Sequence, residues 1–283
     1  MLKTIKLFRR RFFFVFFASL FLVFFSSSDG WAAKKKAKKP YVLSARSAIF
    51  SDSTRAKRLY GKNVHLKVPP ASTTKVMTAL IVMERLSLDQ VVTVSRHATG
   101  VAPSKAGLQT GERYRVSDLL YAALMQSAND ATVVLAEAVS GSEAEFTKLM
   151  NQEARQLGAK HTRFLNSNGL PTKAAQYTTA YDMYLIFREA LQYPFFKDAL
   201  NQKTRTITSL SGRSIPIKSH NKLLWKDWKK DIRGKTGYTK KAKYCFVGYL
   251  ENGKNTLIIA VYGCTRRWND IRYIVTKYGG IKL

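Results

Sequence analysis

The spacing of apolar residues changes twice along this chain of 283 residues, and that change constrains its fold more than any other feature. Residues 41–50 alternate as a strand does, and residues 58–63 can pair with them as a hairpin. Helical spacing follows and fills the middle of the chain, at about 90–200. Beyond it apolar residues again recur at every second position, as in strands. Asn252-Gly253 lies there between two apolar runs and predicts a hairpin turn. We therefore expect an α+β protein with an antiparallel sheet built from both chain ends and an inserted helical subdomain.

Several helices in the middle region have recognisable ends. Ser142 and Glu145 form a capping box, and Gly158 is placed to end the same helix. Thr179 is a typical N-cap for the next apolar segment, which Pro194 stops or redirects. Residues 267–280 predict a final helix with a glycine end.

The first 33 residues have the composition of a targeting segment. A basic start is followed by an apolar run of 14 residues, Phe12–Phe25, and then by the small-residue stretch SSSDGWAA. This order is typical of a secretory signal peptide, and the run is short for a membrane-spanning helix. Because the small residues fit a cleavage site only moderately, an uncleaved N-terminal membrane anchor is the alternative. Either reading exports the rest of the chain, and the lysine-rich residues 34–40 then predict a basic linker.

The net charge of +30 requires anionic surroundings, such as nucleic acid, acidic lipid or an anionic wall polymer. The first 33 residues hold five basic residues and one acidic residue, so residues 34–283 retain +26. Export removes nucleic acid as the obvious partner and leaves a wall polymer or membrane lipid. The four histidines lack metal-ligand spacing, so we expect neither a metal nor another cofactor. A turn at Asn252-Gly253 places Cys245 opposite Ala260 and out of reach of Cys264, which predicts free thiols.

Three short motifs follow one another along the chain: Ser72-Thr73-Thr74-Lys75, Ser127-Ala128-Asn129 and Lys235-Thr236-Gly237. Each is short enough to occur by chance, and their order and structural context give them weight. The first opens a predicted helix at about 72–86, which places its serine and lysine on one face. The second falls at a break between two predicted helices, and the third lies on a predicted strand.

Together the three motifs describe a serine nucleophile with a lysine base. A serine hydroxyl needs a base to become nucleophilic, and no histidine stands at a suitable spacing from Ser72. Lys75 can accept the proton if its amine is neutral, which burial and a nearby cation such as Lys235 favour. Ser127 can relay a proton toward a leaving group. The Asn129 amide can orient Lys75 and bind a substrate carbonyl.

The third motif supplies the groups that a peptide substrate requires. Lys235 and Thr236 can hold a terminal carboxylate, and Gly237 leaves room for a substrate backbone to pass. A developing oxyanion can accept hydrogen bonds from the backbone N–H groups of Ser72 and Tyr238.

At these residues the chain resembles the low-molecular-mass penicillin-binding proteins, the D-alanyl-D-alanine carboxypeptidases of the serine peptidase type. The resemblance extends from about residue 41 to 283 and implies the penicillin-binding/β-lactamase-like transpeptidase fold. It is carried by the motifs and by the segments at 69–84, 125–142, 157–170, 220–225 and 234–239.

The resemblance also implies a function. It implies a periplasmic or cell-surface enzyme of peptidoglycan synthesis, cell wall biogenesis and cell shape, with peptidoglycan stem peptides as substrates. Ser72 would be acylated by the penultimate D-alanine, the terminal D-alanine would leave, and water would release the product. β-Lactam antibiotics would acylate Ser72 as covalent inhibitors. Arg267 resembles a family arginine near the carboxylate end of the site.

The sequence departs from the related patterns in two places. The middle motif is Ser-Ala-Asn instead of Ser-Asp-Asn, and no ExxLN segment supplies the glutamate that class A β-lactamases use. Both differences argue against a β-lactamase. The chain ends at Leu283, shortly after the last predicted helix, so we expect a catalytic domain at 41–283 with no C-terminal β-domain.

Two other functions stay open. A D,D-endopeptidase of cross-linked peptidoglycan would use the same residues. A non-catalytic basic module that binds wall polymer or penicillin would account for the charge, although the intact pair of Ser72 and Lys75 argues against it.

Overall fold

Both ends of the folded chain enter one antiparallel sheet. The computed structural model describes residues 40–283, so the predicted signal peptide or anchor at 1–33 and nearly all of the basic linker at 34–40 lie outside the described residues. The strands within 40–283 are β1 Ser47–Asp52, β2 Lys57–Lys62, β3 Val91–Thr93, β4 Arg113–Arg115, β5 Thr204–Thr208, β6 Ser214–Lys218, β7 Arg233–Thr239, β8 Lys243–Asn252 and β9 Asn255–Cys264. The α-helices are α1 Lys75–Arg85, α2 Arg96–Gly100, α3 Val116–Tyr121, α4 Asn129–Ser140, α5 Glu143–Gln156, α6 Ala180–Ala190, α7 Pro194–Asn201 and α8 Arg267–Gly279.

The main sheet has the strand order β2-β1-β9-β8-β7, and every neighbouring pair is antiparallel. The first strand of the chain therefore pairs with its last, and most helices belong to the segment between them. This arrangement confirms the predicted α+β fold with a sheet built from both chain ends. Two small two-stranded antiparallel sheets, β3–β4 and β5–β6, lie apart from the main sheet.

The sheet is buried on both faces, which explains why its central strands are apolar at nearly every position. Alternate residues of a strand point to opposite faces. Ile258 and Ala260 of β9 pack toward the helical region, and Ile259 and Val261 pack toward α8. The molecule therefore has three layers, with the sheet in the middle.

Helix α1 runs through the interior of the helical layer. Its first eight residues, Lys75–Val82, are all buried, as expected of a helix enclosed on every side. A short 3-10 turn at Ala71–Thr74 precedes it, so the predicted helix at 72–86 begins as a tighter turn. The caps predicted at Ser142 and Thr179 are confirmed, since both side chains accept a backbone N–H three residues later.

The β8–β9 hairpin turns one residue later than the sequence predicts. Asn252 pairs with Asn255, so Gly253 and Lys254 form the turn and the prediction of Asn252-Gly253 was wrong. Glycine suits the first turn position because φ there is +61°. Val247, not Cys245, therefore lies opposite Ala260. Both cysteines are free and buried.

Residues 41–46 do not extend β1 as predicted, because Tyr41 and Ser44 are bonded to α8. The buried carboxylate of Asp270 accepts hydrogen bonds from the Tyr41 hydroxyl at 2.7 Å and from the Ser44 backbone N–H at 3.0 Å.

In residues 40–283 no helix is both long enough and apolar enough to cross a membrane.

The attachment to α8 should contribute measurably to stability. Asp270→Ala leaves the Ser44 N–H and the Tyr41 hydroxyl without their acceptor, and we expect the free energy of unfolding to fall by about 2–3 kcal/mol in urea titrations. Asp227→Ala removes an exposed carboxylate and should change it by less than about 0.5 kcal/mol. Equal stability of the two variants would contradict this account of residues 41–46.

Candidate active site

The three sequence motifs meet in one cleft of about 260 Å³. It lies between the edge strand β7 and the helical layer. Seven of the nine predicted site residues line it: Ser72, Ser127, Asn129, Thr236, Gly237, Tyr238 and Arg267. The other two, Lys75 and Lys235, are buried and 0% and 1% exposed.

Ser72 lies on the 3-10 turn against β7. A Cβ atom on Gly237 would come within 3.1 Å of both the Ser72 backbone nitrogen and the Ala71 Cβ, so a larger residue would push the strand away from the nucleophile. We predicted that this glycine makes room for a substrate backbone. The structure adds a different reason, because the position faces the protein's own serine turn.

The amine of Lys75 contacts three groups and no charged one. Its Nζ lies 2.7 Å from Asn129 Oδ1, 2.9 Å from the Asn168 carbonyl oxygen and 3.3 Å from Ser72 Oγ. A neutral amine has two N–H bonds and one lone pair. If the two shorter contacts use the N–H bonds, the lone pair is left for the hydroxyl of Ser72.

Burial is the main cause that holds the pKa of Lys75 well below its ordinary value, and the positive charge of Lys235 lowers it further. The carboxylates of Asp130 and Glu143 act in the opposite direction. The net effect favours the neutral amine, which is the form that can accept a proton from Ser72.

The carbonyl of Asn168 belongs to a tightly held loop that the sequence analysis did not assign to the site. The Glu143 carboxylate accepts two hydrogen bonds from Ser167, one from its backbone N–H at 2.9 Å and one from its hydroxyl at 2.6 Å. Gly169 has φ +84°, and a Cβ there would collide with the backbone oxygen of Ala71 at 1.9 Å. The only signal in the sequence was the family-like segment at 157–170.

Ser127 connects the π-helical segment Ala122–Gln126 to α4 in a left-handed conformation, with φ +65° and ψ +33°. A non-glycine residue rarely adopts this conformation, and such strain concentrates at functional sites. Two residues further on, Asn129 opens α4, and its side-chain Nδ2 donates to the Ala102 carbonyl at 2.8 Å. The predicted helix break therefore directs Ser127 into the cleft and Asn129 onto Lys75.

Asp130 supports the opposite wall of the cleft, and the sequence analysis missed it. Its buried carboxylate accepts three backbone N–H groups of one loop, from Ala106 and Gly107 at 2.9 Å and from Leu108 at 3.2 Å, besides that of the adjacent Ala131. These bonds hold the loop that brings Ser104 to the cleft.

Three basic residues, Lys75, Lys235 and Arg267, lie close enough to affect one another's pKa. Burial, followed by the positive charge of Arg267, lowers the pKa of Lys235 to about 7. Burial lowers the pKa of Arg267 to about 10. Arg267 donates from Nη1 to the carbonyls of Gly237 at 3.2 Å and Cys245 at 2.7 Å, while its buried Nε has no partner among the described residues.

His220 and Tyr244 also line the cleft, and neither was assigned to it from the sequence. Burial, together with the charges of Lys235 and Lys75, lowers the pKa of His220 to about 4, so its imidazole is neutral at neutral pH. The ring of Tyr244 lies 4.7 Å from that of Tyr238, and the pair forms the outer rim of the cleft.

This arrangement is suited to acyl transfer through a serine. It combines a hydroxyl, a neutral amine beside it, a second serine and a basic end for a carboxylate. In the part of the chain that the structure describes, no cluster of three or more His, Cys, Asp or Glu residues could hold a metal ion.

Comparison with known proteins identifies the family. Residues 33–265 match the family model for D-alanyl-D-alanine carboxypeptidase. The carboxypeptidase DacF of Bacillus subtilis is 35% identical over 227 residues, which cover 78% of this chain and 58% of that protein. The chain therefore belongs to the D-alanyl-D-alanine carboxypeptidase family, and it spans somewhat more than half the length of that relative.

Two further matches carry different activity names. The D-alanyl-D-alanine endopeptidase of Pseudomonas aeruginosa is 32% identical, with 72% of this chain and 66% of that protein covered. The structure of a mutant of the Streptomyces K15 DD-transpeptidase superposes with a TM-score of 0.80 at 27% identity, with 86% of this chain and 100% of that chain covered. The penicillin-binding protein fold predicted from the motifs is thereby confirmed.

The loop held by Asp130 should loosen when that carboxylate is removed. In Asp130→Ala the N–H groups of residues 106–108 lose their acceptor, and we expect faster hydrogen exchange there by at least about tenfold. Exchange in β1 and β9 should stay unchanged. Asp89→Ala, which removes an exposed carboxylate, serves as control. Unchanged exchange at 106–108 would show that other contacts hold the loop.

Proposed function

We propose that this protein is a serine-type D-alanyl-D-alanine carboxypeptidase that removes the terminal D-alanine from peptidoglycan stem peptides. The observation that carries the proposal is the buried amine of Lys75, 3.3 Å from Ser72 Oγ, with two uncharged acceptors to occupy its N–H bonds. Membership of the carboxypeptidase family supports the choice of substrate.

The first half of the reaction forms an acyl-enzyme. Neutral Lys75 takes the proton of Ser72, and Oγ attacks the carbonyl carbon of the penultimate D-alanine. The negative oxygen that develops accepts hydrogen bonds from the N–H groups of Ser72 and Tyr238. As the C–N bond breaks, Ser127 passes its proton to the departing amine and regains one from Lys75, so the terminal D-alanine leaves and Lys75 is neutral again.

The carboxylate end of the substrate lies toward Lys235, Thr236 and Arg267. The Thr236 hydroxyl offers a donor, and Arg267 in the lining and the buried Lys235 behind it supply positive charge. The second Nδ2 hydrogen of Asn129 is available to the substrate carbonyl. In the second half of the reaction, Lys75 accepts a proton from water as the water attacks the ester, and it returns that proton to Ser72 Oγ when the ester C–O bond breaks.

A β-lactam presents a strained amide to the same serine. Attack of Ser72 Oγ opens the lactam ring and leaves a covalent ester, so the protein should bind penicillin covalently.

The surroundings that fit this function are a periplasm or a cell surface. Residues 1–33 support export through a signal peptide or an N-terminal anchor. The charge of +26 on residues 34–283 supports contact with an anionic wall polymer or membrane.

Release of D-alanine from a soluble pentapeptide tests the proposal directly. We expect release by the wild type and a loss of at least about a thousandfold in Ser72→Ala, because the nucleophile is gone. Fluorescent penicillin should label the wild type and not this variant. Thr265→Ala removes a hydroxyl outside the cleft and should leave both the release of D-alanine and the labelling by penicillin unchanged. A wild type that neither releases D-alanine nor takes up the label would refute a catalytic serine and favour the binding module.

The endopeptidase name of the Pseudomonas relative favours a second candidate activity. A cross-linked muropeptide dimer distinguishes the two. Cleavage of the dimer without release of D-alanine from the monomer would replace the carboxypeptidase by a D,D-endopeptidase.

The pH dependence of acylation should report on Lys235. Lys75 must be neutral, so the rate of penicillin acylation rises with pH through its pKa. The positive charge of Lys235 lowers that pKa, although burial lowers it more. In Lys235→Ala the pKa of Lys75 rises, so we expect the acid limb to move to higher pH. Lys240→Ala removes an exposed charge, and an equal shift in that variant would contradict this coupling.

A further inference from the structure

Two open cavities of about 320 and 620 Å³ adjoin the cleft, and we call them together the outer groove. The smaller shares Tyr244 and Arg267 with the cleft, and the larger shares His220 with it. Lys222 lines both cavities. The outer groove is therefore continuous with the nucleophile cleft, so a ligand in the cleft can extend into it.

The outer groove is basic throughout. Lys218, Lys222, Lys226 and Arg266 line it, and none of its lining residues is acidic. Within residues 40–283 none of these four side chains forms an ion pair. Like charges gathered in a concave surface repel one another and attract an anionic ligand.

The outer groove also presents an exposed indole. Trp225 is 44% exposed, whereas Leu223 and Leu224 on the same 3-10 turn are buried. Asn221 fixes this turn, because its side chain accepts the Leu223 N–H at 3.1 Å and donates to the Ile232 carbonyl at 2.9 Å. The indole is thus held outward on a rigid support.

Two lysine amines lie over this indole. Nζ of Lys218 lies 4.5 Å from the ring centroid and Nζ of Lys203 lies 5.7 Å from it. An aromatic face beside cationic groups suits a ligand with both an apolar ring face and carboxylates. Polymeric peptidoglycan offers both, in its acetylated sugar rings and in the carboxylates of its stem peptides.

We propose that the outer groove binds the sugar-bearing, carboxylate-rich remainder of a peptidoglycan strand whose stem peptide occupies the cleft. A sugar ring lies against Trp225, and the lysines pair with carboxylates. The inference rests on the proposed function, and it makes the polymeric wall the preferred substrate over a free peptide. A phosphate polymer would satisfy the lysines and leave the indole without a ligand.

Binding to purified sacculi, stripped of phosphate polymers by acid, tests this proposal. The full chain carrying Ser72→Ala is sedimented with sacculi, so that binding is measured without turnover. Adding Trp225→Ala, or Lys218→Ala together with Lys226→Ala, should weaken binding about tenfold. Trp225→Phe should restore most of the loss. Lys57→Ala with Lys254→Ala removes the same charge from exposed positions outside the outer groove and should change binding less than about twofold.

Release of D-alanine from the soluble pentapeptide, measured with Ser72 intact, separates the two proposals. The outer-groove variants should release it at the wild-type rate, because the cleft is untouched. Equal sacculus binding by the outer-groove variants and the Lys57/Lys254 control would overturn the inference and leave the proposed function standing. Binding that disappears after acid stripping would also overturn it, in favour of a phosphate polymer. Failure of the wild type on the soluble peptide would refute the proposed function itself.

Discussion

The buried amine of Lys75 is the constraint on which the rest of the site depends. A cation enclosed in a protein interior without a charged partner is costly, and none of the three groups that contact this amine is charged. The interior therefore favours the neutral form. The helix that carries Lys75 is buried on all sides over its first two turns, so core packing and the chemistry of the base have the same physical origin.

The two acceptors on Lys75 come from distant parts of the chain, and each is stabilised by a carboxylate. Glu143 holds the loop that carries the Asn168 carbonyl, and Asp130 holds the loop that bonds to Asn129. Both carboxylates raise the pKa of Lys75. These carboxylates thus position the two acceptors although their charges favour the protonated amine. Burial and the charge of Lys235 lower the pKa of Lys75 by more than the carboxylates raise it.

Local signals in the sequence predicted much of this structure. The spacing of Ser72 and Lys75 places both on one turn, and the cap at Thr179 depends on its immediate neighbours. Asp130 and Asn168 escaped prediction because their partners lie 22 to 24 and 93 residues away, at distances that no local pattern records. The β8–β9 turn was misplaced because Asn252, a good turn residue, here remains paired in the ladder.

The strand order of the sheet has a consequence for when the protein can fold during its synthesis. β1 lacks its second neighbour until β9 has been made, about two hundred residues later, and the strand that carries Lys235 is also among the last synthesised. Contacts this distant in sequence form late and cooperatively. The active site therefore cannot form until almost the whole polypeptide has been synthesised.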